Sequence, residues 1–526
     1  MQLTVPHRTV ADTGSSPVNP DGVAEWLKNL KPLQSEADAH EVYRGLKHSN
    51  RLHNDVDNRR AVLSRFIPVL RLLHSHLNEL SYAQPLPLTR EFSRNSRLRD
   101  ALLREEAFAF KILLSDNNTP MADDARRAMQ ALARQAEALA HAYRPVPAAL
   151  IQDAHQLYAL AEEHKLLSDR QGSELLSLQD HYRFILLISI SDLAQQRARQ
   201  VHLVLNFLRS CAGDIHIEKD RDLASLNQTD YAVNLHQGSR PEPASSLLGE
   251  DPGQVRWFSI APAIYRIEKS LATLQNNSGS AAVVSDTLER QSLVRLQAAL
   301  LRTRQRRSSR QIVHEARHVV LGHKEICAHL LYRPEENLHS EPGGWTVINF
   351  SSQGMCMQNE KCQAGDVQVG ELVSVTEYHT RLRGSENDKS SKLDAMLGVV
   401  RWIRAVGTEG ICMGLEFLAT SVIPVRVTRG EYKPPQAGGS TSTNRLPATT
   451  QAVGESALII ACKIQNTIMQ TILVPAYLYH SGDNLTAMQG GRSRRVKLSN
   501  CVQTNGLFSQ FVLVDAERTN PTSPVS

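Results

Sequence analysis

The chain has 526 residues, with 59 Lys and Arg against 54 Asp and Glu, for a formal charge of +5. That length suggests about three domains, and 41% hydrophobic with 21% charged residues excludes a disordered or fibrous chain. The longest apolar run, Phe184 to Ile190 with Ser189 inside it, falls far short of the roughly 20 residues a membrane-spanning helix needs.

In chain order, residues 1–22 read as a polar tail that lacks the basic-then-apolar order of a signal peptide. From 23 to 300 the pattern is helical. Leu63, Phe66, Leu70, Leu73, Leu77 and Leu80 step by three or four and form one apolar stripe. Ala125, Met129, Leu132, Ala136, Leu139 and Tyr143 repeat the step up to Arg144-Pro145, where proline disfavours further helix. Further helices are expected at 148–164, 173–190 and 192–210, the last opened by Ser191-Asp192 as a cap. No fixed repeat is visible, so a tetratricopeptide-like solenoid and an irregular bundle both remain open, each suited to docking a partner. Ser239 to Gln254 is expected to be a linker, with helical pattern resuming at Ile264 to Leu274 and Leu288 to Leu300.

Beyond Leu300 the texture becomes β-rich. Strands are expected at Trp345–Phe350, Glu371–Thr376, Met396–Ile403 and Ile411–Leu418, giving a small barrel over 301–425. A linker at 433–454 then leads to a terminal β domain at 455–516, with strands at Ala457–Gln465, Ile468–Tyr479, Arg494–Leu498 and Phe508–Val514. A short tail, 517–526, is expected to be disordered. Overall the fold class is multidomain α + β: an all-α region, a six-stranded barrel and a smaller barrel-like unit. Seven cysteines are scattered without a CxxC pair, which favours reduced thiols in a cytoplasm. Cys356 and Cys362 read as buried small hydrophobes rather than ligands, and Trp402 as barrel core, though an aromatic at a rim can stack on a base.

The charge is concentrated between Leu301 and Lys324, where Arg302, Arg304, Arg306, Arg307, Arg310, Arg317 and Lys324 face one acid, Glu315. The remainder of the chain is therefore close to neutral, which argues against a broad nucleic-acid or membrane surface. Arg306 and Arg310 form Arg-x-x-x-Arg. Asn349-x-Ser351-x-x-Gly354 follows, then Gly370-Glu371-Leu372-Val373, Gly398-Val399-Val400-Arg401-Trp402-Ile403 and Gly414-Leu415-Glu416-Phe417. Singly these are turns and solvated charges, since Asn and Ser bond their own backbone and Gly supplies a positive φ.

In this order the series resembles the PilZ domain, the bacterial cyclic-di-GMP receptor module, and the layout is similar to larger PilZ proteins with a helical N-terminal region. The resemblance implies a six-stranded barrel with the ligand wrapped by the arginine segment at its rim. It assigns Arg306 and Arg310 to phosphate and guanine contact, with Arg307 as an adjacent helper. Asn349 and Ser351 would bond a guanine edge or phosphate, and Gly354 would allow close backbone approach. The chemistry suits the residues, because guanidinium takes phosphate or guanine O6/N7 in bidentate fashion. Arg310 and Asn349 lie 39 positions apart, so Lys324 to Gly344 is expected to be an insertion or extended hairpin.

The expectation is a cytoplasmic, non-enzymatic cyclic-di-GMP effector with a protein partner at the helical region. It would have no catalytic residue, metal or other cofactor, and would act in motility, pilus, biofilm or secretion control. Two alternatives stay open. One is a zinc peptidase through His314-Glu315-x-x-His318, a spacing that on a helix puts two ligands on one face. The β-branched surroundings, Gln311-Ile312-Val313 and Val319-Val320-Leu321, favour strand instead. The other is a PilZ-based scaffold that no longer binds nucleotide.

Overall fold

The computed structural model describes residues 3–9, 17–81, 84, 86–117, 119–167, 176–251, 253–276, 283–301, 309–331, 344–362, 367–377, 395–429, 454–464 and 467–515. Eight helices come first: α1 (Pro20–Asn29), α2 (Glu36–Arg51), α3 (Val56–Ser81), α4 (Arg90–Asp116), α5 (Ala122–His141), α6 (Ala148–Glu163), α7 (Leu178–Ile190) and α8 (Ala198–Ala212). Local chemistry sets their starts. Asn19 accepts from the Gly22 amide at 2.7 Å ahead of Pro20, and Ser177 and Asp180 exchange side-chain bonds in a capping box at 3.1 Å each. The two predicted stripes face inward: Leu63, Phe66, Leu70, Leu73 and Leu77 of α3 are buried, as are Ala125, Met129, Leu132, Ala136, Leu139 and Tyr143 in and after α5. Because α5 packs on α4, α6, α7 and α8 alike, the region is a bundle around a central helix. A solenoid would let each unit touch only its neighbours.

Two expectations for this region are corrected. Ser191-Asp192 does not cap a helix over 192–210. There α7 ends, Asp192 takes a left-handed φ of 45°, a short 3-10 turn follows at Leu193–Gln195, and α8 starts only at Ala198. The supposed linker at 239–254 belongs to a four-stranded antiparallel sheet, ordered β1-β4-β2-β3, of β1 (Ile217–Glu218), β2 (Asp230–Asn234), β3 (Glu242–Pro243) and β4 (Val255–Ser259). With β1 and β3 only two residues long and β2 and β4 buried on both faces, the sheet carries no period-2 signal. Helices α9 (Ala261–Asn276) and α10 (Val283–Leu300) complete the region.

His155 ties the sheet to the bundle. Its Nε2 lies 3.2 Å from the Ser239 carbonyl and its Nδ1 2.7 Å from the Tyr182 hydroxyl, so the neutral ring donates at Nε2 and accepts at Nδ1. Burial holds His141, His155 and His181 neutral, each with its pKa lowered to about 4. Their folded pKa lies below the unfolded value near 6.5, so the unfolded chain takes up protons first as pH falls. The stability they contribute is present above pH 6.5 and is lost on the way down to 4. Melting followed by far-UV circular dichroism is expected to move to lower temperature from pH 7 to pH 5, above the range where ordinary carboxylates titrate, with up to about 2 kcal/mol lost per ring across that window. A flat profile across that window would contradict the neutral assignment.

The remaining chain forms two closed six-stranded antiparallel barrels among the described residues. The first comprises β5 (Gln311–Leu321), β6 (Trp345–Ser351), β7 (Gly354–Asn359), β8 (Leu372–Glu377), β9 (Met396–Val406) and β10 (Gly410–Ala419), closed in the order β10-β7-β6-β5-β8-β9. Trp345, Val347, Met355, Met357, Ile403 and Met413 fill it, and this core is continuous with that of the helices. The second comprises β11 (Val422–Arg429), β12 (Glu455–Ile464), β13 (Thr467–Pro475), β14 (Asn484–Gln489), β15 (Arg492–Thr504) and β16 (Phe508–Asp515). Since β11 pairs with both β12 and β14, the second barrel starts near 422, not 455. The stretch 433–454, expected to join two domains, falls instead between two paired strands of one barrel, and all but Gly454 of it lies outside the described residues.

Within the expected insertion at Lys324–Gly344, α11 (His323–Leu331) sets Ile326 and Cys327 into a core shared by both barrels, with Leu372, Leu397, Leu458 and Phe508. Arg197 locks the three parts together. Its Nε donates to the Val369 carbonyl at 2.8 Å and its Nη2 to the Asn505 carbonyl at 2.7 Å, while Asn505 Nδ2 donates to the Gly370 carbonyl at 2.8 Å. Gly370 has φ +89°, and a Cβ there would sit 2.7 Å from Arg197 Nη2. Both its conformation and this approach call for glycine.

Candidate ligand-binding face of the first barrel

Of the predicted site residues, Arg310, Asn349, Ser351 and Gly354 are described, and they lie at one end of β5, β6 and β7 of the first barrel. Arg310 leads exposed into β5, whereas Arg306 and Arg307 lie outside the described residues. Across the sheet the register aligns Ile312 of β5, Asn349 of β6, Cys356 of β7, Gly414 of β10 and Trp402 of β9 in one row. Even numbers of residues along a strand share a face. Thus Met357, Met413 and Ile403 fill the barrel while their neighbours Cys356, Gly414 and Trp402 lie outside it.

Asn349 departs from the simple turn reading. Its Oδ1 is buried without a hydrogen-bond partner among the described residues, an arrangement that costs about 1–3 kcal/mol unless a donor arrives. Beside it Ile312 is 80% exposed, an apolar contact for a flat ring. Ser351 does serve the turn: its Oγ lies 3.2 Å from the Gly354 carbonyl and accepts from the Gln353 amide at 3.4 Å. Gly354 has no positive φ. A Cβ on it would fall on the carbonyl oxygen of Leu415 in β10, so the close approach it permits is that of strand to strand.

Trp402 is the residue that sequence reasoning placed wrongly. It is not barrel core; its half-buried ring lies over Gly414 on the outside, where a side chain at 414 would displace it. The Arg404 guanidinium carbon stands 5.1 Å from the ring centroid, a cation–π contact. The signal was present in the sequence, since Ile403 and Met413 are the apolar neighbours of Trp402 and Gly414. A β-bulge at Gly414/Leu415 shifts the alternation and hides it.

The floor of this face is a thiol pair. Cys356 and Cys412 have their sulfurs 3.2 Å apart, and neither forms a disulfide. The hydrogen bond from Cys412 lowers the Cys356 pKa, burial opposes this, and Arg310 and Arg404 lower it further. The Cys412 thiol is pushed up, first by that same bond and then by burial. Cys356 is therefore the first of the two to ionise, and it senses a cation on either side. Cys356 is buried, as expected; Cys362 is half-buried.

His314, Glu315 and His318 do not form a zinc site. They lie along β5, where residues four apart are separated by roughly 13 Å, too far to share one ion. The His318 ring stacks on His329 of α11 at 5.3 Å, and no cluster of three His, Cys, Asp or Glu able to hold a metal occurs among the described residues.

A closed six-stranded barrel with arginine ahead of its first strand, and Asn-x-Ser-x-x-Gly leaving its second, is what the resemblance implied for a PilZ domain. Comparison with known families agrees: a model described as "Cyclic-di-GMP receptor FimW, middle PilZ domain" matches residues 334–424, and one described as "Cyclic-di-GMP receptor FimW, N-terminal domain" matches residues 21–222. The chain belongs to the PilZ-domain family, in the larger form with a helical N-terminal region. Both descriptions are those of a receptor, a binding protein rather than an enzyme. Among curated proteins the chain is similar to the cyclic-di-GMP receptor FimW of Pseudomonas aeruginosa, at 22% identity over 99% of this chain and 95% of the relative. No solved structure matches it. The matched PilZ region holds Asn349, Ser351 and Gly354 and begins after Arg306, Arg307 and Arg310. No helix of the described residues is long and apolar enough to cross a membrane.

Proposed function

We propose that the chain is a cytoplasmic cyclic-di-GMP effector that binds the dinucleotide on the outer face of the first barrel and passes that event to a protein partner. The observation that carries this is the buried, unpartnered Asn349 Oδ1 beside Arg310 in a family whose models are named for cyclic-di-GMP receptors. Guanine N1–H and N2–H supply the donors that this oxygen lacks. Arg306 and Arg310, with Arg307 adjacent, provide guanidinium for phosphate or for guanine O6/N7. Ser351, committed to its turn, shapes the strand end, and Gly354 lets β7 and β10 close beneath the ligand. Because the barrel core runs into the helical core, engaging the arginine segment shifts the presentation of the bundle, provided the ligand favours one arrangement. The helical region is the surface offered to a partner in motility, pilus, biofilm or secretion control. No catalytic group, metal or further cofactor enters this reading.

Calorimetric titration of cyclic di-GMP into the full chain tests it. Arg306→Ala/Arg310→Ala is expected to weaken binding about 100-fold or more, and Asn349→Ala about tenfold, from the loss of charge-assisted and buried hydrogen bonds. Negligible heat from the wild type and the arginine variant alike would leave the scaffold reading in its place.

A further inference from the structure

The outer face does not stop at Trp402. Arg404 follows on the same side of β9, opposite Cys412, and borders an open cleft between barrel and helical region. The other wall includes Tyr143, Val146, Asp192, Leu193 and Arg240. Arg240 comes from the small sheet's β2–β3 connection, and donates to the Val146 carbonyl at 3.3 Å. Neither Arg240 nor Arg404 makes an ion pair with a described residue; the ring of Trp402 is what Arg404 rests on.

Two guanidinium groups thus face one cleft across a domain boundary. Burial lowers the Arg240 pKa, the Arg404 charge lowers it further, and Asp192 opposes both. Asp192 accepts a hydrogen bond from Gln195 and makes no ion pair with either arginine among the described residues. A third arginine on the cleft, Arg144, is already engaged by Asp100 at 3.4 Å. Like charges held together in a partly desolvated cleft are unfavourable unless an anion joins them.

The geometry relates this cleft to the face described above. From Asn349 to Trp402 the row crosses three inter-strand spacings, roughly 14 Å, and Arg404 lies one step along the strand beyond. We propose that Arg404 and Arg240 form a second anion subsite, which takes a phosphate group of the dinucleotide bound between Asn349 and Trp402. The Trp402 ring would supply a stacking surface for a base. The inference rests on the cyclic-di-GMP reading and extends it. Arg240 belongs to the helical region, so the ligand's negative charge bridges two domains and replaces repulsion between them with attraction.

The experiment compares wild type, Arg240→Ala, Arg404→Ala, the double variant and Arg240→Lys as full-length chains. Titrants are cyclic di-GMP, its linear dinucleotide and inorganic phosphate. Each single alanine is expected to weaken cyclic di-GMP about tenfold, the double variant less than a hundredfold because the two share one phosphate, and Arg240→Lys to recover part of the loss by keeping the charge. Hydrogen exchange at residues 141–146 is expected to slow on ligand binding in wild type but not in Arg240→Ala, with unchanged melting temperatures showing that the variants fold. If wild type binds and neither alanine variant loses affinity, this subsite is wrong while the receptor reading stands. If wild type does not bind, the receptor reading itself falls, and the subsite with it. Inorganic phosphate binding the cleft as tightly as the dinucleotide would overturn the assignment in favour of a free-phosphate site.

Discussion

Asp153→Ala is expected to destabilise the protein by about 3–5 kcal/mol, because it leaves an ammonium group buried and unpaired. Lys111 of α4 is fully buried, its Nζ 2.8 Å from Asp153 Oδ1 of α6 and 5.1 Å from the centre of the Phe108 ring. Burial lowers the Lys111 pKa and raises that of Asp153, and each partner only partly restores the other. Both groups are thus moved toward their neutral forms, so desolvation outweighs pairing. The pair itself adds little to stability, while breaking it costs a great deal. Lys111→Met/Asp153→Leu, which removes both charges and keeps apolar volume, is expected to stay within about 1.5 kcal/mol of wild type. Urea unfolding followed at 222 nm measures both variants. A harmless single substitution, or a double variant as damaged as the single, would contradict the assignment.

Gly354→Ala is expected to open the first barrel, at a cost of about 3 kcal/mol. The added methyl has no free volume, since it would fall on the Leu415 carbonyl oxygen in the neighbouring strand, and backbone cannot swing aside as a flexible side chain does. Either β7 and β10 part at the Gly354–Glu416 end of their ladder or the turn through Ser351 is lost. Hydrogen exchange is the suitable measure, because a chain of several domains need not unfold in two states. Amides of β7 and β10 should exchange faster while α4 and α5 keep their protection. Unchanged protection in β10 would show that the glycine is not needed for strand contact, and would return it to the ligand.

The bulk of the fold was legible because local burial leaves a periodic trace. The stripes of α3 and α5, and strands such as Trp345–Phe350 and Ile411–Leu418, lie where apolar spacing put them. The β-branched residues around His314-Glu315-x-x-His318 correctly outweighed the zinc motif, since β5 runs straight through it. The small sheet at 217–259 was missed because its strands are two to five residues long, too short for a period to show. The candidate site was half legible. Spacing and family resemblance pointed to Asn349, Ser351, Gly354 and Arg310, which the structure places near one another at the ends of β5, β6 and β7. Nothing in the sequence distinguished the turn-bound Ser351 from the unpartnered Asn349.

By itself, then, the sequence determined the change from helix to strand near residue 300, the concentration of charge just after it, and the PilZ motifs. Each is a property of neighbours in the chain. Only the tertiary structure decided that β11 belongs to the second barrel, that Trp402 lies outside the first, and that Arg240 meets Arg404 across a cleft. The reason is physical: closure of a sheet, and the face a bulged strand presents, depend on partners tens to hundreds of residues away. No local period records which of them will meet.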